Sequence, residues 1–379
     1  MKVLHVIPGI EQISGGPSQA INGICNALTN ADISSFVITT RDPLNRYKLI
    51  DYRDIENNIL FCDRWKLEKY AFSLALKRWL SDNVSNFNIV HIHSLFNFPS
   101  YIAAYIARKK KIPYVIRPAG TFNTWRKTLS LKKKIGVNYI EKQNFKCASA
   151  IHATSKQEID CLIPYFNKDI ITEIPLGITL PKRIDQNFKS DASKELRILF
   201  LSRLNQKKNI PILLLAIKKL IDRNIPVSLR IAGNTDPGKE KYEQELKMKV
   251  EELNIGKYAS FIGFVDGYKK EQEFRNTDVF ILPSYDENFG IAVLEALSYG
   301  VPVIISERVA LAEEVQTYEA GFVVACNDAD SITTCVMKLH QNNELLSSMS
   351  MNSLLLADSF SWESTAKSLI DLYTSILRR

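Results

Sequence analysis

Two glutamates in an E-x7-E spacing carry the most chemistry in this chain. Glu287 and Glu295 lie in PSYDENFGIAVLEALSYGVPVIIS, residues 283–306. The apolar run 278–283 reads as a strand ending in a polar turn that holds Glu287. A helix expected to start near Phe289 carries Glu295 and runs out at Gly300, and 301–305 reads as the next buried strand. A strand–loop–helix–strand unit sets that loop at the carboxyl edge of a parallel sheet, where open α/β sheets bind ligands. A carboxylate accepts from adjacent hydroxyls and repels phosphate, so the pair suits a polyhydroxylated ligand. The backbone N–H groups of Phe289 and Gly290, unpaired donors at a helix start, suit phosphate. Sugar beside phosphate points to a nucleotide-sugar.

Further polar residues fall at the ends of other expected strands. LRILFLSRL, 196–204, opens a second α/β unit, and KKN, 207–209, follows it. Arg203 and Lys208 are expected exposed in a loop at the carboxyl edge. Two cations there fit a diphosphate, which departs with added negative charge when a glycosidic bond breaks. Asn209 is expected to cap the helix whose apolar run begins at Ile210. Near the N-terminus, SGGP at 14–17 puts Gly15 and Gly16 in the first strand-to-helix loop. Small residues there let backbone amides approach a phosphate, and a plain tight turn is the alternative. His91 and His93 lie two apart on a strand, hence on one face. No third metal ligand stands at a convincing spacing, so they read as structural, with His93 nearer the carboxyl edge and the acceptor. Asp328-Ala329-Asp330 precedes a helical pattern and reads as a helix cap.

The elements that must position these groups alternate strand and helix in both halves, the pattern of doubly wound parallel sheets. Strands are expected over 3–7, 36–39, 89–93, 114–117 and 150–154, with helices over 66–80 and 99–110. In the second half strands are expected over 227–232, 260–265 and 279–282. The segment 175–195 has two prolines, mixed charge and no periodicity, and reads as a linker. A chain of 379 residues suits two cores. No apolar run approaches the roughly 20 residues of a membrane span. MKVLHVIPG is too short and strand-like for a signal peptide. Cysteines 25, 62, 147, 161, 326 and 335 show no zinc spacing and read as reduced cytosolic thiols.

With EALSYGVPVI after it, the E-x7-E segment resembles the C-terminal domain of retaining glycosyltransferases of family 4, group 1. That resemblance is strongest over 196–306 and covers most of the chain. It implies the GT-B fold: two α/β, Rossmann-like, doubly wound parallel-sheet domains facing a central cleft. The implied plan is an acceptor-binding domain over 1–178, a linker over 179–195, a nucleotide-sugar donor domain over 196–360, and a helix over 361–379 that packs back on the first domain. SRLNQKKN is similar to the family's G-R-L-x-x-x-K-G/N, with Ser202 in place of Gly, which implies that Arg203 and Lys208 hold the donor diphosphate. The resemblance further implies that Glu287 holds hydroxyls of the transferred sugar and Glu295 those of the ribose. Gly15 and Gly16 would close over the donor phosphates. Asn288, Phe289 and Gly290 would line the donor, and Gly233, Phe264 and Val265 would lie near ribose and base. RPAGTFNTW, 117–125, resembles a loop that often reads P-H-G, and here Ala119 stands where that His falls. Arg117, Thr121 or a backbone carbonyl is expected to substitute, unless the reaction leans wholly on the leaving phosphate. The implied activity is retaining transfer of a hexose-type sugar from a nucleoside-diphosphate-sugar to a hydroxyl, without cofactor or metal. A nucleotide-sugar epimerase of the same fold and a sugar-nucleotide-binding protein without turnover are the alternatives.

Charge adds an expectation about the acceptor. Residues 1–179 carry 24 Lys+Arg against 14 Asp+Glu, whereas 180–379 carry 25 against 27. Within 105–146 stand twelve basic residues and one acid, Glu141. Apolar residues such as Trp125, Leu129 and Ile135 are interleaved with them. No nucleic-acid recognition motif accompanies the charge. A basic amphipathic surface over 108–146 fits an anionic membrane. The expected partner is a polyprenyl-diphosphate-linked glycan of lipopolysaccharide or exopolysaccharide type. The expected location is cytoplasmic, peripheral on the inner face of the cytoplasmic membrane.

Overall fold

The computed structural model describes residues 1–11, 16–43, 58–65, 70–122, 141–181, 195–236 and 238–379. The chain forms two compact units. One comprises Met1–Gly177 with Phe360–Arg379, the other Ile178–Ser359.

In the first unit the strands are β1 (Lys2–Ile7), β2 (Ser34–Arg41), β3 (Ile59–Asp63), β4 (Ile89–His93), β5 (Tyr114–Arg117), β6 (Ala150–Ala153) and β7 (Ile171–Glu173). They make a seven-stranded sheet in the order β3-β2-β1-β4-β5-β6-β7. Every pairing is parallel. The chain works outward from β1 to β3, then resumes on the other side at β4. The carboxyl ends of β1 and β4 therefore flank the crevice where a doubly wound sheet receives ligand.

The second unit holds β8 (Leu196–Leu201), β9 (Val227–Ala232), β10 (Ala259–Gly263), β11 (Val279–Leu282), β12 (Val303–Ser306) and β13 (Gly321–Val324). Its sheet runs β10-β9-β8-β11-β12-β13, all parallel, so the same reversal falls between β8 and β11. VFIL of β11 is buried throughout, as is VIIS of β12, because helices cover both faces of a parallel sheet. Arg197 of β8 grips Asp278 with Nε and Nη2 at 2.9 and 2.7 Å, which ties these two strands together at their amino ends.

Three edge strands, β3, β7 and β13, are not among the expected ones, and ILFCD, ITE and GFVV are each only partly buried. The helix expected from 66 begins at Leu74, where Ser73 Oγ accepts from Leu76 N, and 66–69 fall outside the described residues. Much of the linker, 182–194, also falls outside them.

The C-terminal helix Trp362–Leu377 packs on the helix Gly16–Asn30. A Cβ at Gly23 would lie 2.0 Å from the Trp362 ring, and one at Gly177 would lie 2.6 Å from the Trp362 backbone. Glycine inside a helix costs roughly 1 kcal/mol relative to alanine. Here it admits the indole. Among the described residues no helix is long and apolar enough to cross a membrane.

Candidate active site

Loops after four strands of the second sheet, β8 to β11, bring the expected donor residues to its carboxyl edge. Arg203 follows β8 and is exposed, with Nη1 3.4 Å from Asp236 Oδ1. Lys208 ends a single 3-10 turn, Gln206–Lys208, in which Asn205 caps Lys207 N at 3.1 Å. Contrary to the expectation of an exposed cation, Lys208 is buried, and its Nζ forms an ion pair with Glu287 Oε2. The turn folds its side chain inward to Glu287, whose carboxylate compensates the buried ammonium.

Asn209 departs from its expected role too. It precedes the helix Ile210–Asp222 in left-handed conformation, φ 52°, and makes no side-chain cap. Its Nδ2 donates instead to Cys326 O at 2.5 Å, anchoring the turn to the segment after β13. An αL asparagine lacks the extended backbone that lets an N-cap side chain reach back to the first turn.

Glu287 is held by its backbone. Its N–H donates to Arg308 O and its carbonyl accepts from Ala310 N, each at 3.2 Å, so the loop after β12 fixes the carboxylate. The helix carrying Glu295 spans Ile291–Ser298, two residues later than expected. Gly290 stands at its N-cap with φ 85°, and Phe289 is buried one residue before it. That φ suits glycine and leaves the amide of Gly290 at the mouth of the helix rather than inside it. Glu295 Oε1 meets Lys270 Nζ at 2.5 Å, from the helix Gly267–Arg275 after β10. Both expected substrate carboxylates therefore sit on lysines.

Gly233, at φ 131°, lies where a Cβ would fall 1.8 Å from Ser202 O. Only glycine lets the β9 loop run this close to the β8 loop. Val265 is nearly buried in the loop after β10, and Phe264 beside it is exposed. Asn288 is half-buried between Glu287 and Phe289.

The first sheet gathers its own polar groups. Gly16 opens the first helix, while Gly15 lies outside the described residues. Leading into that loop, Arg64 bonds Glu11 and Thr40 and also reaches Pro8 O at 3.0 Å. Four of the five histidines meet in this unit: His5, His91, His93 and His152, all buried. The sequence supplied only His91 and His93. His5 lies in register with His91 on β1, and ligand atoms of His5, His91 and His93 fall within 4.8 Å of one another.

The hydrogen bonds assign tautomers. His152 Nε2 donates to Ile174 O at 2.8 Å, so its Nδ1 is bare and accepts from His91 Nε2–H at 3.4 Å. His91 Nδ1 then accepts from Tyr373 O–H at 2.6 Å, linking β4 to the C-terminal helix. His5 Nδ1 and His93 Nε2 share a bond of 3.0 Å. Burial keeps the ring pKa values down: His5 and His152 to about 3, with His91 and His93 also well below the usual value.

Arg117 ends β5 beside His93. After it, Ala119 and Gly120 both take positive φ, 52° and 73°. Gly120 N–H donates to Glu158 Oε1 at 2.7 Å, which pins this loop, and Thr121 Oγ1 bonds back to Pro118 O. Glu158 stands three residues after the N-cap Ser155, a capping-box position, yet it turns to Thr154 and the neighbouring loop. Asp328 caps the helix Ala329–Gln341 through Ser331 N, as expected.

Residues 14–181 match the model of glycosyltransferase family 4, and residues 182–354 match that of glycosyl transferases group 1. The chain belongs to these glycosyltransferases. Over 342 residues this glycosyltransferase is 28% identical to an uncharacterized 41.2 kDa protein in the cps region of Klebsiella pneumoniae, covering 88% of each chain. It is 25% identical over 304 residues to the phosphatidyl-myo-inositol mannosyltransferase of Mycolicibacterium smegmatis, covering 79% of this chain and 74% of that one. Its fold is similar to that of Anabaena HepE, solved with UDP and glucose, with a TM-score of 0.77 at 16% identity over 99% of this chain and 100% of the other. Two parallel-sheet α/β domains of this kind are the GT-B fold.

Proposed function

We propose that this glycosyltransferase moves a hexose-type sugar, with retention, from a nucleoside-diphosphate-sugar to a hydroxyl of a polyprenyl-diphosphate-linked glycan in cell-surface polysaccharide synthesis. One observation carries the reading: Lys208 and Glu287, from the loops after β8 and β11, meet at the switch point of the second sheet with Arg203 close in sequence. Diphosphate binding would draw Lys208 and Arg203 toward the phosphates and release Glu287 to accept from sugar hydroxyls. Glu295, on Lys270, would receive the ribose.

In a front-side displacement the departing diphosphate oxygen takes the acceptor proton while both cations stabilise its charge. Positioning and electrostatics then supply most of the rate, and no metal is needed. The mannosyltransferase relative, named for a phosphatidyl-inositol, favours a lipid-borne acceptor.

The basic stretch lends partial support to a place on the inner membrane face. Of its described basic residues, Arg108–Lys111 lie at the amino edge of the first sheet just before β5, whereas Arg117 is buried at the opposite edge. At the amino edge Arg108, Lys111, Ile112, Ile376 and Leu377 line a groove of about 430 Å³. Residues 123–140, with Trp125 and Lys132–134, lie outside the described residues.

The test is incubation with labelled UDP-, GDP- and ADP-sugars and a lipid-extracted acceptor fraction. Label in a new glycolipid with the donor's anomeric configuration supports the proposal. An isomerised donor, or binding with no product from any donor, contradicts it.

A further inference from the structure

Arg117 presents an unsolved charge. It is 2% exposed, and a buried guanidinium needs partners for its N–H donors. The carboxylate that acts on it, Glu158, is already committed to Gly120 N, Thr154 N and Thr154 Oγ1 at 2.7–2.8 Å. Among the described residues, Arg117 Nε and Nη1 have no hydrogen-bond partner, nor do His93 Nδ1 and His5 Nε2. Arg117 and His93 are the last residues of β5 and β4 and pair in register, and His5 lies on β1 across the switch point. Arg117 and His93 thus stand at the carboxyl edge where the sheet meets its ligand crevice, with His5 hydrogen-bonded to His93 behind them.

The histidine trio alone suggests a metal, but two facts oppose a cation. Both nitrogens of His91 are engaged, by Tyr373 and His152. A guanidinium beside the site repels added positive charge. An oxyanion meets neither objection. It accepts from the guanidinium fork in the geometry that arginine favours. It also gains one imidazole N–H. Whichever ring donates in the His5–His93 bond, the other ring carries its proton on the outer nitrogen.

We propose that Arg117, with His93 and His5, forms an oxyanion subsite in the first unit that receives a phosphate or carboxylate carried by the acceptor. The assignment rests on reading the first unit as the acceptor side. It adds a chemical requirement: the acceptor is negatively charged near its reacting hydroxyl.

The full-length protein labelled with ¹⁵N-histidine tests this directly, because five histidines give five assignable pairs of signals and His340, in the other unit, serves as reference. Inorganic phosphate, glucuronate and glucose are titrated in turn at constant ionic strength. The His5 and His93 signals should move saturably with phosphate or glucuronate, not with glucose, while His340 stays still. A response to phosphate alone identifies a phosphorylated acceptor, and one to glucuronate alone an acidic sugar. Arg117→Gln should weaken the response roughly tenfold or more, the loss expected for a charged hydrogen bond. Should that variant fail to fold, His93→Gln with His5 as reporter replaces it.

No saturable shift in the folded protein, or a shift that survives Arg117→Gln, overturns the subsite. A response to zinc(II) in place of the oxyanions would make it a metal site instead. Calorimetric titration of UDP, GDP and ADP into the same protein reports the donor site separately, so a failed subsite with intact nucleotide binding leaves the donor reading standing.

Discussion

Lys208 Nζ rests on Glu287 Oε2, an ion pair between residues 79 apart in sequence that joins the loops following β8 and β11. The pair gives each partner two duties, one in the fold and one toward ligand. Lys208→Met should lower kcat/KM by about 2–4 kcal/mol in transition-state terms. It should also lower stability by about 1–3 kcal/mol, because Glu287 loses its partner in a half-buried place. Adding Glu287→Gln should restore much of the stability and none of the turnover. Arg203→Ala, at an exposed residue, should cost activity of the same order with an unchanged unfolding midpoint. Steady-state kinetics and urea melts on the four proteins check this, and near-normal turnover in Arg203→Ala and Lys208→Met would remove the clamp.

The two glutamates should separate by ligand. Glu287→Gln should cripple transfer and leave nucleoside diphosphate binding nearly intact, since that ligand lacks the transferred sugar. Glu295→Gln should weaken the nucleoside diphosphate itself by about 1.5–3 kcal/mol, the worth of a hydrogen bond to a charged group. Calorimetric titration of the product nucleotide distinguishes them, and equal or reversed losses contradict the assigned roles.

The position of these residues was legible in sequence as far as the strand ends that carry them. The E-x7-E spacing, the loop after β8 and the alternation of elements located the edge of the second sheet. Burial and pairing were not legible. Lys208 looks like a surface cation until the 3-10 turn is seen to fold it onto a residue 79 positions away. Asn209 has the residue type of a cap and the wrong backbone conformation for one. In the first unit, sequence offered His91 and His93 by their spacing. His5, His152 and Tyr373 join them only through strand order and helix packing, which no local pattern encodes. Phe289 and Gly290 came within two residues of the helix start, the ordinary error of boundaries.

Acid should destabilise the first unit through its histidines. Buried His5, His91, His93 and His152 stay neutral, while the unfolded chain protonates them near 6.5. Folded pKa values below unfolded ones give stability that is complete above about 6.5. It is lost progressively as pH falls toward the folded values, about 3 for His5 and His152. Each ring contributes up to about 1.4 kcal/mol per pH unit in that window. Urea melts between pH 7.5 and 5 should show this slope, and His152→Gln should reduce it. A flat stability profile over that range would show the rings to be protonated in the fold.

The basic stretch predicts salt-sensitive attachment to anionic vesicles. Each Lys or Arg near such a surface is worth about 1 kcal/mol, so changing Lys132, Lys133 and Lys134 to Glu should abolish flotation with phosphatidylglycerol liposomes. Equal recovery on neutral vesicles, or none on either, would point to a soluble acceptor.

The most direct measurement is calorimetric titration of UDP, GDP and ADP into the wild-type chain and into Arg203→Ala/Lys208→Met. One nucleoside diphosphate should bind the wild type without added metal. Its affinity should fall at least about a hundredfold in the double variant, the effect of removing two charge-assisted hydrogen bonds to phosphate. Absence of binding by all three, or affinity unchanged by removing both cations, would contradict a donor site at the carboxyl edge of the second sheet.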